Sequence, residues 1–414
     1  MNILYINHYA GSPKYGMEFR PYYLAQEWLK YGHKTTILAS SFSHVRARQP
    51  NVGNKITEEN INGINYIWYP TRLYNGNGIS RVMNIFSFLF QVFLDLNKKR
   101  NINKIKPDVV IASSTYPLDI LVAKHIARKS GAKLIYEVHD LWPLSPIEIG
   151  GMSPKHPFIR LCQFAENFAY RHSDTVISML PNVHAHMKAH GLDLKKLNII
   201  PNGIVEEDWN IKNISPITSH IREVIDYYKS ENKIIVGYAG SLGKPNAMNY
   251  LIDAAKLLEN ENFHFLLVGS GLEKGNLIKQ ANLLNLRNIT FCDPIPKTQI
   301  PFLLPLFDIA YIGWNRKSIY RFGISPNKLI DYMMAKCIVL HSVEAGNDIV
   351  ADANCGLSTL PESPQAIANG LLKLNKLSKE KKIELGNNGK KYVLKNHTYN
   401  VLSEKFLKAI INHE

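Results

Sequence analysis

Lys233-Ile234-Ile235-Val236-Gly237-Tyr238-Ala239-Gly240 decides the fold. A short, unbroken apolar run closed by glycine is the pattern of a strand buried on both faces, which parallel sheets require. It follows a polar stretch, Ile204–Asn232, with no strand pattern, and opens a second series of runs much as Asn2–Asn7 opens a first. Working outward, the first series predicts strands at Ile3–Asn7, Thr35–Ser40, Ile64–Tyr69, Val109–Ser113, Leu134–Val138, Thr175–Met179 and Asn198–Pro201. The second predicts them at Lys233–Ala239, His264–Gly269, Ile289–Cys292, Ile309–Gly313, Ile338–His341 and Gly356–Thr359. Segments of helical period lie between, such as Tyr23-Leu24-Ala25 with Trp28-Leu29. The expectation is an α/β chain of two doubly wound, Rossmann-like domains, 1–205 and 206–397, facing each other across a cleft. Ligands of such sheets bind beyond the carboxyl ends of the strands.

Composition agrees and narrows the class. The 414 residues exceed one ordinary domain, and 45% hydrophobic with 20% charged excludes wholesale disorder. The four cysteines, Cys162, Cys292, Cys337 and Cys355, form no CxxC pair, which argues against a disulfide framework or zinc cluster and for a reducing cytoplasm. Met1–Asn7 has no basic region before it and reads as a first strand, not a secretory signal. Ile79–Leu96 is interrupted by Arg81, Asn84, Ser87 and Gln91 and is expected to fall short of a membrane span. Net charge is +15, and Met1–Ile200 holds 24 Lys and Arg against 13 Asp and Glu. A basic first half suits an anionic membrane, a phosphorylated substrate or nucleic acid. No RNA-binding fingerprint or aromatic-basic alternation supports the last.

Six positions carry candidate chemistry. The turn His8–Glu18 places Gly16 where backbone can approach a phosphate, although a plain glycine turn has the same look. Leu267-Val268-Gly269-Ser270-Gly271 resembles a dinucleotide fingerprint but follows an internal strand, which weakens an oxidoreductase reading. In Phe322–Met333, Ser325 reads as an N-cap and Pro326 as the first helical residue, which puts Lys328 at the third. A cation there opposes the helix dipole by ~0.3–1 kcal/mol unless an anion sits at the helix mouth. Asp331, one turn on, is placed to accept from a ribose diol; the plain alternative is an exposed Lys and Asp. Glu137-Val138-His139-Asp140 ends a strand on the ligand-facing side. Gly240-Ser241-Leu242-Gly243-Lys244 is a second candidate phosphate cradle. His184, His186 and His190 have no acidic ligand near them in sequence and read as a solvated helix face, not a metal site.

Taken in order, these pieces resemble a GT-B glycosyltransferase of the large retaining family. They are Gly16–Arg20, Gly32-His33, Glu137–Asp140, Ile200–Gly203, Tyr238–Gly240, Leu267–Gly271 and Ser325–Asp331. Gly16–Arg20 with Ser325–Leu329 most resembles the subgroup of bacterial O-antigen and capsule gene clusters. The resemblance covers nearly the whole chain and implies a nucleotide-sugar on the second domain and the acceptor on the first, with the C-terminal helix 398–414 packed back on the first. It implies Asp331 at the ribose, Lys328 and the helix mouth at the diphosphate, Gly16 facing it, His139 near the transferred sugar and Ile295 beside the base. The implied donor site comprises Gly16, Gly240, Ser241, Lys244, Gly269, Ile295, Arg321, Ser325, Asn327, Lys328 and Asp331, with His139 and Lys328 catalytic. Three positions depart from the family: Gly323 replaces its first acid, Ser241 an arginine and Asn246 a lysine. Lys244, Arg316 or Arg321 are candidates to rebuild the lost contacts.

The implied reaction moves a UDP-linked sugar, N-acetylated ones included, with retention, to a polyprenyl-diphosphate-linked or oligosaccharide acceptor in bacterial surface polysaccharide synthesis. No DxD motif is present, so no metal or other cofactor is expected, and fixed cations and helix N–H groups must stabilise the departing diphosphate. A GT-B-shaped sugar-nucleotide epimerase and a non-catalytic relative are the rivals. Ile79–Lys106 joins Phe86, Phe88, Phe90 and Phe93 to Arg81, Lys98, Lys99, Arg100, Lys104 and Lys106, and Arg46 and Arg48 are expected to extend that face. With the basic first half, this predicts a cytoplasmic protein held peripherally on the anionic inner face of the plasma membrane. No nucleic-acid partner is expected.

Overall fold

The computed structural model describes residues 1–76, 78–97, 104–210 and 215–411. They form two compact units: Met1–Asn202 with the C-terminal segment from Tyr399, and Gly203–Thr398.

The first unit is an eight-stranded sheet in the order β3-β4-β2-β1-β5-β6-β7-β8. Its strands are β1 (Asn2–Ile6), β2 (Lys34–Ser40), β3 (Thr57–Ile61), β4 (Ile64–Tyr69), β5 (Val109–Ala112), β6 (Lys133–Val138), β7 (Thr175–Ser178) and β8 (Leu197–Ile199). All neighbours are parallel except β3 and β4. Sequence analysis found every strand but β3, whose Thr-Glu-Glu-Asn-Ile carries no apolar run because it is an edge strand with one face in water. Its signal was Asn62-Gly63, a two-residue turn with both φ positive (50° and 87°), the geometry a tight hairpin needs.

Helices Arg20–Lys30, Ile79–Asn97, Asp119–Ser130 and Pro157–His172 cross between the strands. The C-terminal helix Tyr399–Ile411 joins this unit by packing Phe406 against Trp28, with ring centres 5.2 Å apart. Ile79–Leu96 is, among the described residues, one helix long and apolar enough to cross a membrane, with mean hydropathy 1.4, so its length does not fall short as expected. It is nonetheless stitched to the sheet. Asn84 Oδ1 accepts from His8 Nε2 at 2.7 Å while its amide nitrogen donates to the Arg72 carbonyl, Gln91 donates to the Pro70 carbonyl, and Asp95 accepts from Tyr69 Oη at 2.9 Å.

The second unit is all parallel, in the order β11-β10-β9-β12-β13-β14. These are β9 (Ile234–Ala239), β10 (Phe263–Val268), β11 (Ile289–Cys292), β12 (Ile309–Gly313), β13 (Ile338–Ser342) and β14 (Gly356–Ser358). Alternate side chains of the same strands feed two cores, Ile235, Leu266 and Val339 on one face and Val236, Phe265 and Leu340 on the other. That two-sided burial is why the runs are continuously apolar.

The ends of several first-unit elements meet on one buried ion pair. Arg20 Nε lies 2.8 Å from Glu137 Oε1, with both side chains fully excluded from water. The other guanidinium nitrogens donate to the carbonyls of Pro201 (2.6 Å) and Ile200 (2.9 Å), while Ser113 Oγ (2.6 Å) and the Tyr5 hydroxyl donate to Glu137 Oε2. Burial alone would raise the Glu137 pKa, but Arg20, His139 and Ser113 hold it well below the usual carboxylate range. Arg20→Ala should therefore cost ~3–5 kcal/mol, because it leaves a buried carboxylate unpaired. Urea unfolding of the variant checks this, and a loss under ~1 kcal/mol would show that water or another group replaces the guanidinium.

Candidate active site

A cavity of about 550 Å³ opens in the second unit beyond the carboxyl ends of β9, β10 and β11. Its position follows from the topology. β10 lies on one side of β9 and β12 on the other, so the loops after β9 and β12 leave in different directions. The β9–β12 ladder covers only Val236 and Gly237 against Ile309 and Ala310. Beyond it the N–H of Ala239 donates to Tyr332 Oη at 3.0 Å, so a side chain closes what the separating strands leave open.

Backbone forms two walls. Gly240 (φ +149°) and Gly269 (φ +158°) adopt conformations that favour glycine. A Cβ on Gly269 would stand 1.9 Å from the Gly240 oxygen, and one on Gly240 would stand 2.6 Å from Lys328 Cε. Pro294, Ile295, Ile300 and Leu304 supply an apolar side suited to a flat ring.

Lys328, Asp331 and Tyr332 reach the cavity from helix Asn327–Met334. Here the structure corrects the sequence reading. The helix begins at Asn327 with Pro326 as its N-cap (φ −78°, ψ 123°), so Ser325 is not the cap and Lys328 is the second helical residue, not the third. The residue before a proline is pushed out of the helical region, which keeps Ser325 outside the helix. No side chain caps this end. Its first N–H groups and the positive end of its dipole are thus left for an anion.

Lys328 Nζ donates to Tyr238 Oη at 2.5 Å and to Asn246 Oδ1 at 3.3 Å, and lies 4.0 Å from the Tyr238 ring centre. Burial lowers its pKa from the ordinary lysine value to about 7, against the pull of Asp331. Burial likewise raises Asp331 to about 7, only partly opposed by Lys297 and Lys328. Each is a charge short of a full-strength partner. Asn246, which departs from the family's lysine, also donates to the Ser241 carbonyl at 3.0 Å and so braces the loop on which Lys328 rests.

Of the residues singled out in the sequence, the cavity brings together Gly240, Ser241, Gly269, Ile295, Lys328 and Asp331. Lys244, Arg321, Ser325 and Asn327 do not line it. Lys244 is exposed, the Arg321 guanidinium donates to the Ser318 carbonyl at 2.7 Å, and Arg316 pairs with Glu344 at 3.2 Å. Gly323, where the family has an acid, closes a turn onto the Tyr320 carbonyl at φ +95°, a conformation an acidic residue would resist. Sequence reasoning gave no role to Tyr238, Tyr332, Pro294, Ile300 or Leu304. The tyrosines lay inside motifs already quoted, but only the fold turns them toward Lys328 and the strand end.

Gly16 and His139 belong to the first unit. Gly16 has φ +97° and bridges to Ser12 and Arg46, and a Cβ there would stand 2.9 Å from the Ala47 nitrogen. His139 Nε2 lies 2.8 Å from Ser113 Oγ and 3.6 Å from Glu137 Oε2. The Ser113 proton is committed to Glu137, so Nε2 is the donor to Ser113. Burial disfavours the imidazolium, yet Glu137 outweighs it and the His139 pKa is raised.

Comparison with known proteins agrees with this geometry. Residues 15–208 match the model described as Glycosyltransferase Family 4, and residues 222–392 match Glycosyl transferases group 1. The chain belongs to the GT-B-type glycosyltransferases. It is 24% identical over 286 residues to a probable glycosyltransferase, WbjE, of Pseudomonas aeruginosa, covering 68% of each chain. It is 22% identical over 300 residues to a putative colanic acid biosynthesis glycosyl transferase, WcaI, of Escherichia coli K12, covering 71% of this chain and 72% of that one. Among solved structures, HepE of Anabaena in complex with UDP and glucose superposes with a TM-score of 0.65 at 15% identity, covering 99% of both chains.

The raised Asp331 pKa carries a sign that can be checked. A carboxyl raised on folding contributes stability below its unfolded pKa and loses it as pH climbs toward about 7. In ligand-free protein, Asp331→Asn should match the parent's thermal midpoint near pH 4 and exceed it progressively up to neutral pH. A difference that does not change with pH would mean Asp331 ionises normally in the fold.

Proposed function

We propose that this glycosyltransferase moves a sugar, with retention at the anomeric carbon, from a UDP-linked donor to a polyprenyl-diphosphate-linked saccharide in bacterial surface polysaccharide synthesis. N-acetylated sugars fall within the proposed donors. The observation that carries the reading is the uncapped mouth of helix Asn327–Met334, with Lys328 and Asp331 in one cavity walled by glycine backbone. Supporting it are the UDP and glucose named for HepE and the colanic acid synthesis named for WcaI.

In this reading the base lies against Ile295 and Pro294, Asp331 accepts from the ribose diol, and the diphosphate meets Lys328, the helix N–H groups and the backbone of Gly240, Ser241 and Gly269. Gly16 is assigned to the same diphosphate and His139 to hydroxyls of the transferred sugar. The bond from the anomeric carbon to the β-phosphate oxygen breaks as the acceptor oxygen bonds to that carbon on the same face, and the departing diphosphate gains negative charge. A lysine with a pKa of about 7 takes up a proton fully when that anion arrives, so its charge is strongest where charge develops. The acceptor proton passes to the leaving phosphate, and no metal is assigned to the step.

Lys328→Ala should weaken UDP binding at least tenfold while changing UMP binding little, as calorimetry would show. Equal losses would remove the diphosphate role. His139→Ala should lower turnover and leave UDP affinity intact, measured with donor and a crude lipid-linked acceptor fraction. Donor epimerised with no acceptor present would make the enzyme an epimerase instead.

The same reading holds the protein peripherally on the cytoplasmic face of the plasma membrane. Helix Ile79–Asn97 leaves Ile79 (82% exposed), Phe90 (61%), Met83, Phe86 and Phe93 in water beside Leu121. All of these but Ile79 border an apolar groove of about 640 Å³ edged by Arg72. Lys104 and Lys106 are exposed, whereas Lys98, Lys99 and Arg100 lie outside the described residues. Arg46 does not join this face: it is 5% exposed, with its guanidinium on the carbonyls of Ala10 (2.8 Å) and Ser40 (2.6 Å). It was missed because a loop arginine in sequence gives no sign of burial. Basic groups near an anionic leaflet contribute ~1 kcal/mol each. The protein should sediment with phosphatidylglycerol vesicles at low salt, and Phe86→Ser with Phe90→Ser should abolish this. Protein left in the supernatant at low salt would favour a soluble acceptor.

A further inference from the structure

The fold assembles one cluster that the donor site does not use. Pro157–His172 carries Glu166, and the crossover helix His184–Ala189 with the residue after it carries His186 and His190. One donor atom from each of the three lies within 4.8 Å of the others. Sequence gave the histidines no acidic companion, because Glu166 stands twenty positions before His186 and only the packing of two helices brings it there.

The geometry points to a divalent transition-metal site formed by Glu166, His186 and His190, with zinc as the natural occupant and a structural role between the two helices. Glu166 is 1% exposed, and the His186 ring stands beside it with Nε2 3.1 Å from Oε1. Ligands at 2.0–2.1 Å in a tetrahedron stand roughly 3.3 Å apart, so this pair already spans the edge of a zinc site. The surrounding bonds orient the remaining ligands as an outer sphere should. Tyr170 Oη donates to Glu166 Oε1 at 3.0 Å. Gln163 uses its two amide hydrogens on Glu166 Oε2 (2.7 Å) and Asn167 Oδ1 (2.8 Å). His190 Nδ1 stands 2.9 Å from Asn167 Oδ1 and 3.0 Å from Gln163 Nε2. An imidazole that donates from Nδ1 to Asn167 carries its lone pair on Nε2. The two imidazoles lie with centres 4.5 Å apart, side by side at the spacing two helical ligands need.

Two imidazoles and one carboxylate select zinc, cobalt or nickel over magnesium or calcium. A fourth, solvent position completes the tetrahedron. The chemistry is distinct from sugar transfer, since none of the three residues belongs to the donor cavity or its unit.

Calorimetric titration of EDTA-treated, full-length protein with zinc chloride tests it. One zinc per chain should bind and raise the thermal midpoint reversibly, and cobalt should give the visible absorption of a tetrahedral N/O site. His186→Gln and His190→Gln should each weaken zinc at least tenfold, and Glu166→Gln should do so if it folds. Magnesium should give no saturable heat. The inference is overturned if zinc shows no one-to-one binding, if either histidine variant binds it as tightly as the parent, or if magnesium competes equally.

Discussion

The Arg20–Glu137 ion pair is the constraint on which the first unit turns. Two charges with no access to water are tolerable only when every lone pair and N–H is occupied. Satisfying them draws together β1 through Tyr5, β5 through Ser113, β6 through Glu137, the first crossover helix through Arg20 and the exit of β8 through Ile200 and Pro201. His139 inherits its orientation from this set, because the Ser113 hydroxyl that it contacts is already committed to Glu137. A residue proposed for sugar recognition is thus held by a network that serves stability first.

The second unit handles buried charge in the opposite way. Lys328 and Asp331 are removed from much of the solvent without full partners, and burial drives both pKa values toward 7. In the proposed function, the donor's diol and diphosphate would restore both ionised forms. The cost is borne by the fold around the site: Tyr332 caps a strand end, Asn246 braces a loop, and two glycines let backbones approach where side chains would collide.

Residues on the donor cavity were legible where function rests on local backbone chemistry. Gly240, Gly269 and the Lys328–Asp331 turn announce themselves through strand-end glycines and a cation early in a helix. The helix start was misread by one residue, because Ser-Pro fits a cap at serine equally well until ψ of the proline is known. Lys244 and Arg321, chosen as spare cations, failed for want of direction: sequence gives a charge but not where its side chain points.

By itself, then, the sequence determined two parallel-sheet domains, the strand series and the order of ligand-facing loops. Those properties follow from hydrophobic period and from glycine and proline placement, which act over a few residues. The tertiary structure alone decided the β3 edge hairpin's place in the sheet, the burial of Arg46, the tyrosine supports of Lys328 and the meeting of Glu166 with His186 and His190. Each depends on contacts between residues far apart in the chain, where distance and exposure are set by packing of whole elements rather than by any local pattern.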